Sequence, residues 1–334
     1  MSGVRISGVG SMPGTDFGGA ARLILDEVPD LPFVPELPAR GPGAGLVGRG
    51  VGLLAGLAGE LTSSGWRLAD AAGVDQRRAR AMLRDDLNRF AEAADGYVGP
   101  LKLAVPGPWT LSAALEAPRG GRVLADPGAR HDLAASLAQG SADCLGELGR
   151  LVPGARPFLQ VDEPALPAVL GGGIPTVGGY FRLRAIDLPE VADGLAALVR
   201  VAPGPVLHCC AGRGVLAELP LTEFVRRVGF GALSLDAAAL DAASLDELAE
   251  CVEAGASLYL GILPAQTIDV VPRPDDLAKR ALATLRPLEL GPRLADALVL
   301  TPSCGLAGWA PGHARRVWPA LREAAGLVGE GLSS

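Results

Sequence analysis

His208 and Cys210 stand two residues apart in the run LHCC, and Cys304 closes another apolar run in LTPSCG. Side chains at i and i+2 of a strand project to the same face, so His208 and Cys210 can reach one ion while Cys209 points away. The run ending in Ser234-Leu235-Asp236 could add a carboxylate. One imidazole, two thiolates and a carboxylate are ligand types that zinc prefers. The spacing alone leaves a second reading open. In it His208 is a buried histidine satisfied by backbone, and the cysteines are ordinary core residues.

If the residues do hold zinc, the charges indicate a chemistry. A dication with two thiolates and one carboxylate has a net charge of about −1, which makes it a modest Lewis acid, poorly suited to polarising a carbonyl or generating hydroxide. It can still bind an incoming thiol and displace its proton, since coordinated thiols are deprotonated. A free thiol has a pKa of about 8.5 and is mostly protonated at neutral pH. Such a site favours thiolate activation over hydrolysis.

These residues need elements to position them. Short apolar runs at residues 4–9, 31–35, 101–105, 158–161, 205–209, 232–235, 258–262 and 297–300 are each followed by a helical stretch. Apolar runs alternating with helices indicate an α/β protein whose parallel sheet is buried on both faces. Eight such units predict a single (β/α)₈ TIM barrel over residues 1–334, with a mostly helical insertion at residues 46–96, after the second strand. A doubly wound open sheet is disfavoured, because GVGSMPGT does not match the glycine-rich turn that such folds carry after the first strand. Helix starts are also legible. Thr15 or Asp16 opens the first helix, Ser244-Leu-Asp-Glu247 reads as a capping box, and Pro274 opens a helix running to about Leu285.

In barrels the chemistry sits at the C-terminal ends of the strands. Those ends here carry Gly10-Ser11, Glu36, the run from Gly107 to Thr110, Asp162-Glu163, His208-Cys209-Cys210, Asp236, Gln266 and Cys304. One mouth lined by all the loops would gather them.

Composition narrows the class. The 334 residues carry a formal charge of −7 and are 49% hydrophobic, which supplies a core and argues against nucleic acid as a partner. The opening MSGVRISGVGSMPG lacks the pattern of a signal peptide, and no apolar stretch reaches the ~18 residues of a membrane span. A cytoplasmic protein is expected. Its 5 cysteines then suit metal binding or catalysis better than a disulfide framework. Cys144 and Cys251 lie in helical patterns and read as small core residues, as Trp66 and Trp318 read as packing residues. His131 reads as solvent-facing and His313 as an exposed residue of the last helix.

The segments VGSMPGT, VPGPWTL, LQVDEPAL, LHCC, LSLD and LTPSCGL, from about residue 6 to residue 308, resemble in order those of the catalytic (C-terminal) domain of the cobalamin-independent methionine synthase family. The resemblance implies a (β/α)₈ fold, a zinc ion, and methyl transfer to homocysteine. It assigns zinc to His208, Cys210 and Cys304, and sets Asp236 in the place of a zinc-binding Glu. It gives Gly10 and Ser11 to the substrate carboxylate, Asp162 to the substrate amine as the catalytic-site acid, and Glu36 to a second acid near that amine. These roles suit the residue types, since a buried ammonium needs carboxylates and a buried carboxylate needs N–H or hydroxyl donors. A helix-capping role for Glu163, and less so for Asp162, stays open.

The departures concern the methyl donor. Full-length folate-dependent members carry an additional N-terminal barrel. Val270 stands where they have a His that protonates the departing folate nitrogen, and Ala114 where a Trp stacks on folate. The chain therefore resembles the short core forms of the family, and two donors stay open: a methylcorrinoid, which a corrinoid protein could deliver, and methyltetrahydrofolate. Two other functions stay open: methylation of a different thiol, and a non-catalytic protein that binds an amino acid and a metal.

Overall fold

Strands form where apolar runs leave every backbone N–H free to pair. The computed structural model describes residues 3–212, 219–265, 270–291 and 293–333, so Gln266 lies outside the described residues. Parallel strands β1 (Arg5–Ile6), β4 (Gly99–Pro106), β5 (Ala155–Asp162), β6 (Val206–Cys209), β7 (Ala232–Asp236), β8 (Ser257–Leu263) and β9 (Leu298–Pro302) make one curled sheet in the order β1–β9–β8–β7–β6–β5–β4. Seven of the eight expected strands are present.

The expected second strand is not a strand. Pro32 and Pro35 remove two ladder donors from the run LPFVPE, which leaves single bridges instead. Val34 N–H donates to Lys102 on one side, at 2.9 Å, and Glu36 N–H donates to Gly10 on the other, at 3.1 Å. The extended segment thus links β4 with the chain that leaves β1, the two edges of the sheet. The fold is thus TIM-barrel-like, a curled parallel sheet of seven strands whose edges are linked by an extended segment in the place of the expected second strand.

The insertion was expected to be mostly helical. Helices α2 (Leu46–Leu53) and α3 (Val74–Ala93) agree, but an antiparallel hairpin of β2 (Ala58–Thr62) and β3 (Gly65–Ala69) lies between them. Its turn needs glycine, since Gly65 has φ 127°. Helices α1 (Phe17–Glu27), α4 (Pro108–Ala114), α5 (Pro127–Leu151), α6 (Leu166–Leu170) and α7 (Leu188–Val199) belong to the first half of the chain. The second half has α8 (Leu221–Glu223), α9 (Ala242–Glu253), α10 (Pro274–Leu285), α11 (Arg293–Ala297) and α12 (Pro311–Ser333). Asp16 caps α1 and Pro274 opens α10, as expected. The cap of α9 is corrected: Asp241 accepts from Ser244 N–H, and Glu247 accepts from Thr222 N–H instead. No described helix is long and apolar enough to cross a membrane.

Alternation along the strands decides what faces the site. Leu207, Cys209, Leu233 and Leu235 pack into the main core with the helices. Val206, Ala232, Tyr259 and Val299 join Leu31 in a separate small cluster. His208 and Ser234 are therefore the next residues on that second face, one layer nearer the strands' C-terminal ends. Cys144, Cys251, Trp66 and Trp318 are buried packing residues.

Close helix packing relies on glycine. A Cβ on Gly140 of α5 would lie 1.7 Å from the Leu53 carbonyl oxygen at the end of α2. Gly140→Ala is expected to cost ~1–3 kcal/mol through overpacking, measurable as a lowered thermal midpoint. An unchanged midpoint would show that α2 can move away freely.

Candidate metal centre and ligand cavity

The ligand atoms of His208, Cys210 and Cys304 all lie within 4.8 Å of one another. His208 comes from β6, Cys210 from the residue after it, and Cys304 from the turn after β9. His208 is 2% exposed, and its Nδ1 lies 2.9 Å from Ser234 Oγ on the neighbouring strand β7. That pairing follows from the β6–β7 register, which aligns His208 with Ser234. The other ring nitrogen, Nε2, is buried without a hydrogen-bond partner. Leaving such a group unpaired costs ~1–3 kcal/mol, a cost that a cation at this nitrogen would remove.

The two sulfurs are 3.4 Å apart. Hydrogen bonding with Cys210 and the facing His208 pull the Cys304 thiol down to about 4. The same contact and burial push Cys210 up. Tetrahedral zinc would set its two sulfurs ~3.8 Å apart, so the observed 3.4 Å requires only a small opening. Two soft sulfurs and a freed imidazole nitrogen, oriented by a hydroxyl behind the ring, fit zinc.

Asp236 is not in this group. It is half-buried at the end of β7, and its Oδ1 accepts from Ala238 N–H at 2.9 Å, capping a short turn. Among the described residues the group offers three ligand atoms.

The metal group forms one wall of a cavity of ≈ 250 Å³. Gly10, Ser11, Glu36 and Asp162 line the same cavity. All the expected binding residues except Asp236 therefore meet at one place. The loops around it are tied together: Leu306 N–H donates to the Ser11 carbonyl at 2.7 Å, and a Cβ on Gly305 would lie 1.8 Å from Ser11 Oγ. Pro38, Ala44 and Leu46 add an apolar side from the start of the insertion.

The two acids differ in their partners. Glu36 Oε1 lies 3.1 Å from Arg49 Nε, and both side chains are buried. Arg49 in turn lies 3.9 Å from Asp86, which pairs with Arg40 at 2.5 Å. Burial raises the Glu36 pKa and Arg49 opposes it. Among the described residues no arginine pairs with Asp162. Its Oδ1 accepts from Gln160 Nε2 at 2.7 Å, and burial pushes its pKa up to about 7.

Glu163 is structural. Its carboxylate accepts from Trp109 N–H at 2.9 Å, Thr110 N–H at 2.8 Å and Thr110 Oγ at 2.6 Å, closing the start of α4. Glu163→Gln turns an amide donor toward one of these donors. It is expected to lower stability by ~1–3 kcal/mol with metal binding retained, read by denaturant unfolding and metal content.

No family model and no curated protein sequence matches the chain. Among solved structures, it is similar to a B12-independent methionine synthase from Shewanella sp. W3-18-1 in complex with selenomethionine. The TM-score is 0.61 at 16% identity, over 99% of each chain. The fold is methionine-synthase-like. The chain also aligns with GH5_18 from Streptomyces cattleya in complex with GlcNAc, at TM-score 0.47 and 18% identity over 98% of this chain and 80% of that one, too loosely to bear on function.

Sequence reasoning missed Ser234, Arg49, Gln160 and Lys102 as parts of the site's support. Only Lys102 carried a visible signal: it is one of two lysines in an arginine-rich chain, set inside the apolar run PLKLAV. Val270 is 76% exposed, and His131 is exposed as expected, whereas His313 is half-buried.

Proposed function

We propose that this chain is a zinc-dependent thiol S-methyltransferase that methylates homocysteine to methionine. The observation that carries the reading is one cavity lined both by the His/Cys/Cys group and by Gly10, Ser11, Glu36 and Asp162. Its volume suits one small amino acid bearing a thiol.

His208, Cys210 and Cys304 would hold zinc. When bound, zinc would lower the pKa of an incoming thiol so that the sulfur is presented as a thiolate. Asp162 would pair with the substrate ammonium, and the Gly10-Ser11 segment would donate to its carboxylate. Glu36, already engaged by Arg49 at 3.1 Å, would contribute the weaker share of amine recognition. Held at both ends, the sulfur attacks the donor methyl in line: an S–C bond forms, and the donor's leaving group departs with the bonding electron pair. The proton lost from the thiol passes to solvent.

The donor is read as a methylcorrinoid, brought by a corrinoid protein. A departing corrinoid takes the electron pair without needing a proton, whereas a departing folate nitrogen needs an acid, and Val270 supplies none. The reading includes a single domain and a cytoplasmic setting, whose reducing potential keeps Cys210 and Cys304 as thiols despite their 3.4 Å separation. A second acceptor, a thiol without an amino-acid group, is favoured by one observation, the prior commitment of Glu36 to Arg49.

The test is a single-turnover assay on zinc-loaded protein with homocysteine, offered methylcobalamin and methyltetrahydrofolate in parallel. Methionine formed from methylcobalamin alone is expected. Methylation from folate alone overturns the donor assignment, and methylation from neither overturns the function.

A further inference from the structure

Lys102 is a charged residue with no exposed surface, buried beneath the cavity on β4. Its Nζ donates to the Gly8 carbonyl and to Gln160 Oε1. It also sits 5.5 Å from the Tyr259 ring centroid and 5.8 Å from that of Phe33, which leaves the ammonium enclosed by acceptors and aromatic faces. Burying an ammonium is costly unless it is paired and hydrogen-bonded, so its presence calls for an explanation.

Gln160 supplies the continuation. Its Nε2 donates to the Val9 carbonyl at 2.8 Å and to Asp162 Oδ1 at 2.7 Å. The amide can face only one way, because Lys102 requires the oxygen while the Val9 carbonyl and Asp162 require the nitrogen. Lys102 and Gln160 therefore hold two things at once: the backbone of Gly8 and Val9, which leads directly into Gly10-Ser11, and the carboxylate of Asp162. These are the two arms of the proposed amino-acid clamp, one for the carboxylate and one for the amine. Neither Lys102 nor Gln160 lines the cavity or belongs to the metal group.

We infer that Lys102 and Gln160 form a buried brace that sets the spacing between the carboxylate-binding segment at Gly10-Ser11 and the amine-binding Asp162, so that they act as positioning residues selecting an α-amino-acid thiol over a simple thiol. The inference rests on the proposed homocysteine reading and adds what gives that site its selectivity. The electrostatics agree: burial pulls Lys102 down to about 7, while Asp162 and Glu36 act to keep it charged.

The test uses full-length protein loaded with Co²⁺, whose thiolate charge-transfer band reports sulfur binding, titrated with L-homocysteine and separately with 2-mercaptoethanol. Lys102→Met and Gln160→Leu are each expected to weaken L-homocysteine by at least ~10-fold, with 2-mercaptoethanol and Co²⁺ affinity unchanged. The double variant is expected to be no weaker than the worse single one, because the two residues act as a unit. Equal loss for both thiols would assign the residues a merely structural role and overturn the inference. Unchanged homocysteine affinity in both single variants would overturn it too. Wild-type protein with no preference for homocysteine would overturn the parent reading, and the brace with it.

Discussion

Cys304→Ser and Cys210→Ser proteins are expected to lose stoichiometric zinc, each with affinity reduced by more than ~100-fold, beyond what loss of an outer-shell partner causes. The expectation rests on the group's economy: three donors only, drawn from two separated stretches of chain, with no fourth protein ligand in reach among the described residues. Ser234→Ala is expected to fall in between. Without the hydroxyl at 2.9 Å from Nδ1, the His208 ring loses its orientation, and zinc affinity should drop by ~10–100-fold. Asp236→Asn should leave zinc affinity unchanged, since that carboxylate is spent on Ala238 N–H. Competition with a chromophoric chelator measures all four variants. Zinc loss in Asp236→Asn matching that of the cysteine variants would restore it as a ligand and contradict the three-donor site.

The ligand count also revises the charge. With two thiolates and an imidazole, the site would be near neutral before substrate, at about 0 rather than the −1 that a bound Asp236 would give. A site of that charge attracts an incoming thiolate more strongly, so zinc still favours thiol activation.

The second large effect concerns Asp162. Asp162→Asn is expected to weaken L-homocysteine by at least ~30-fold, since truncating one partner of a buried charge pair costs roughly 2–5 kcal/mol. The fold should tolerate the change, because Asn keeps an oxygen to accept from Gln160 Nε2. Zinc content should stay stoichiometric, and 2-mercaptoethanol should bind as in the wild type. Isothermal titration of zinc-loaded protein gives both affinities. An unchanged homocysteine affinity would mean that no amine sits against Asp162, and would favour the acceptor without an amino-acid group. Glu36→Gln should cost less than Asp162→Asn, because Glu36 already spends its charge on Arg49.

The sheet was legible because its strands are short, apolar and separated by helices with recognisable starts. The i, i+2 spacing in LHCC paired His208 with Cys210, while Cys304 joined them through its place at a strand end and the family resemblance. The run LPFVPE misled for a chemical reason. Its apolar content reads as strand, but Pro32 and Pro35 cannot donate, and the segment makes only scattered bridges. The hairpin at β2 and β3 was illegible because AGELT and GWRLA offer a half-buried polar alternation with no apolar run. Asp236 shows a different limit. Alternation puts it on the face shared with Ser234, yet the turn after β7 draws its carboxylate to the backbone, an outcome set by local capping rather than by strand period. Arg49 and Gln160 were unreadable because Glu36 and Asp86, and Lys102 and the Val9 carbonyl, reach them from other elements of the fold.

The central claim is that a thiol substrate binds zinc held by His208, Cys210 and Cys304. Zinc K-edge absorption spectroscopy of the zinc-loaded protein, before and after addition of L-homocysteine, tests it most directly. Two sulfurs are expected around zinc before homocysteine is added, and three afterwards. A sulfur count that does not rise, in protein that holds its zinc, would contradict the claim.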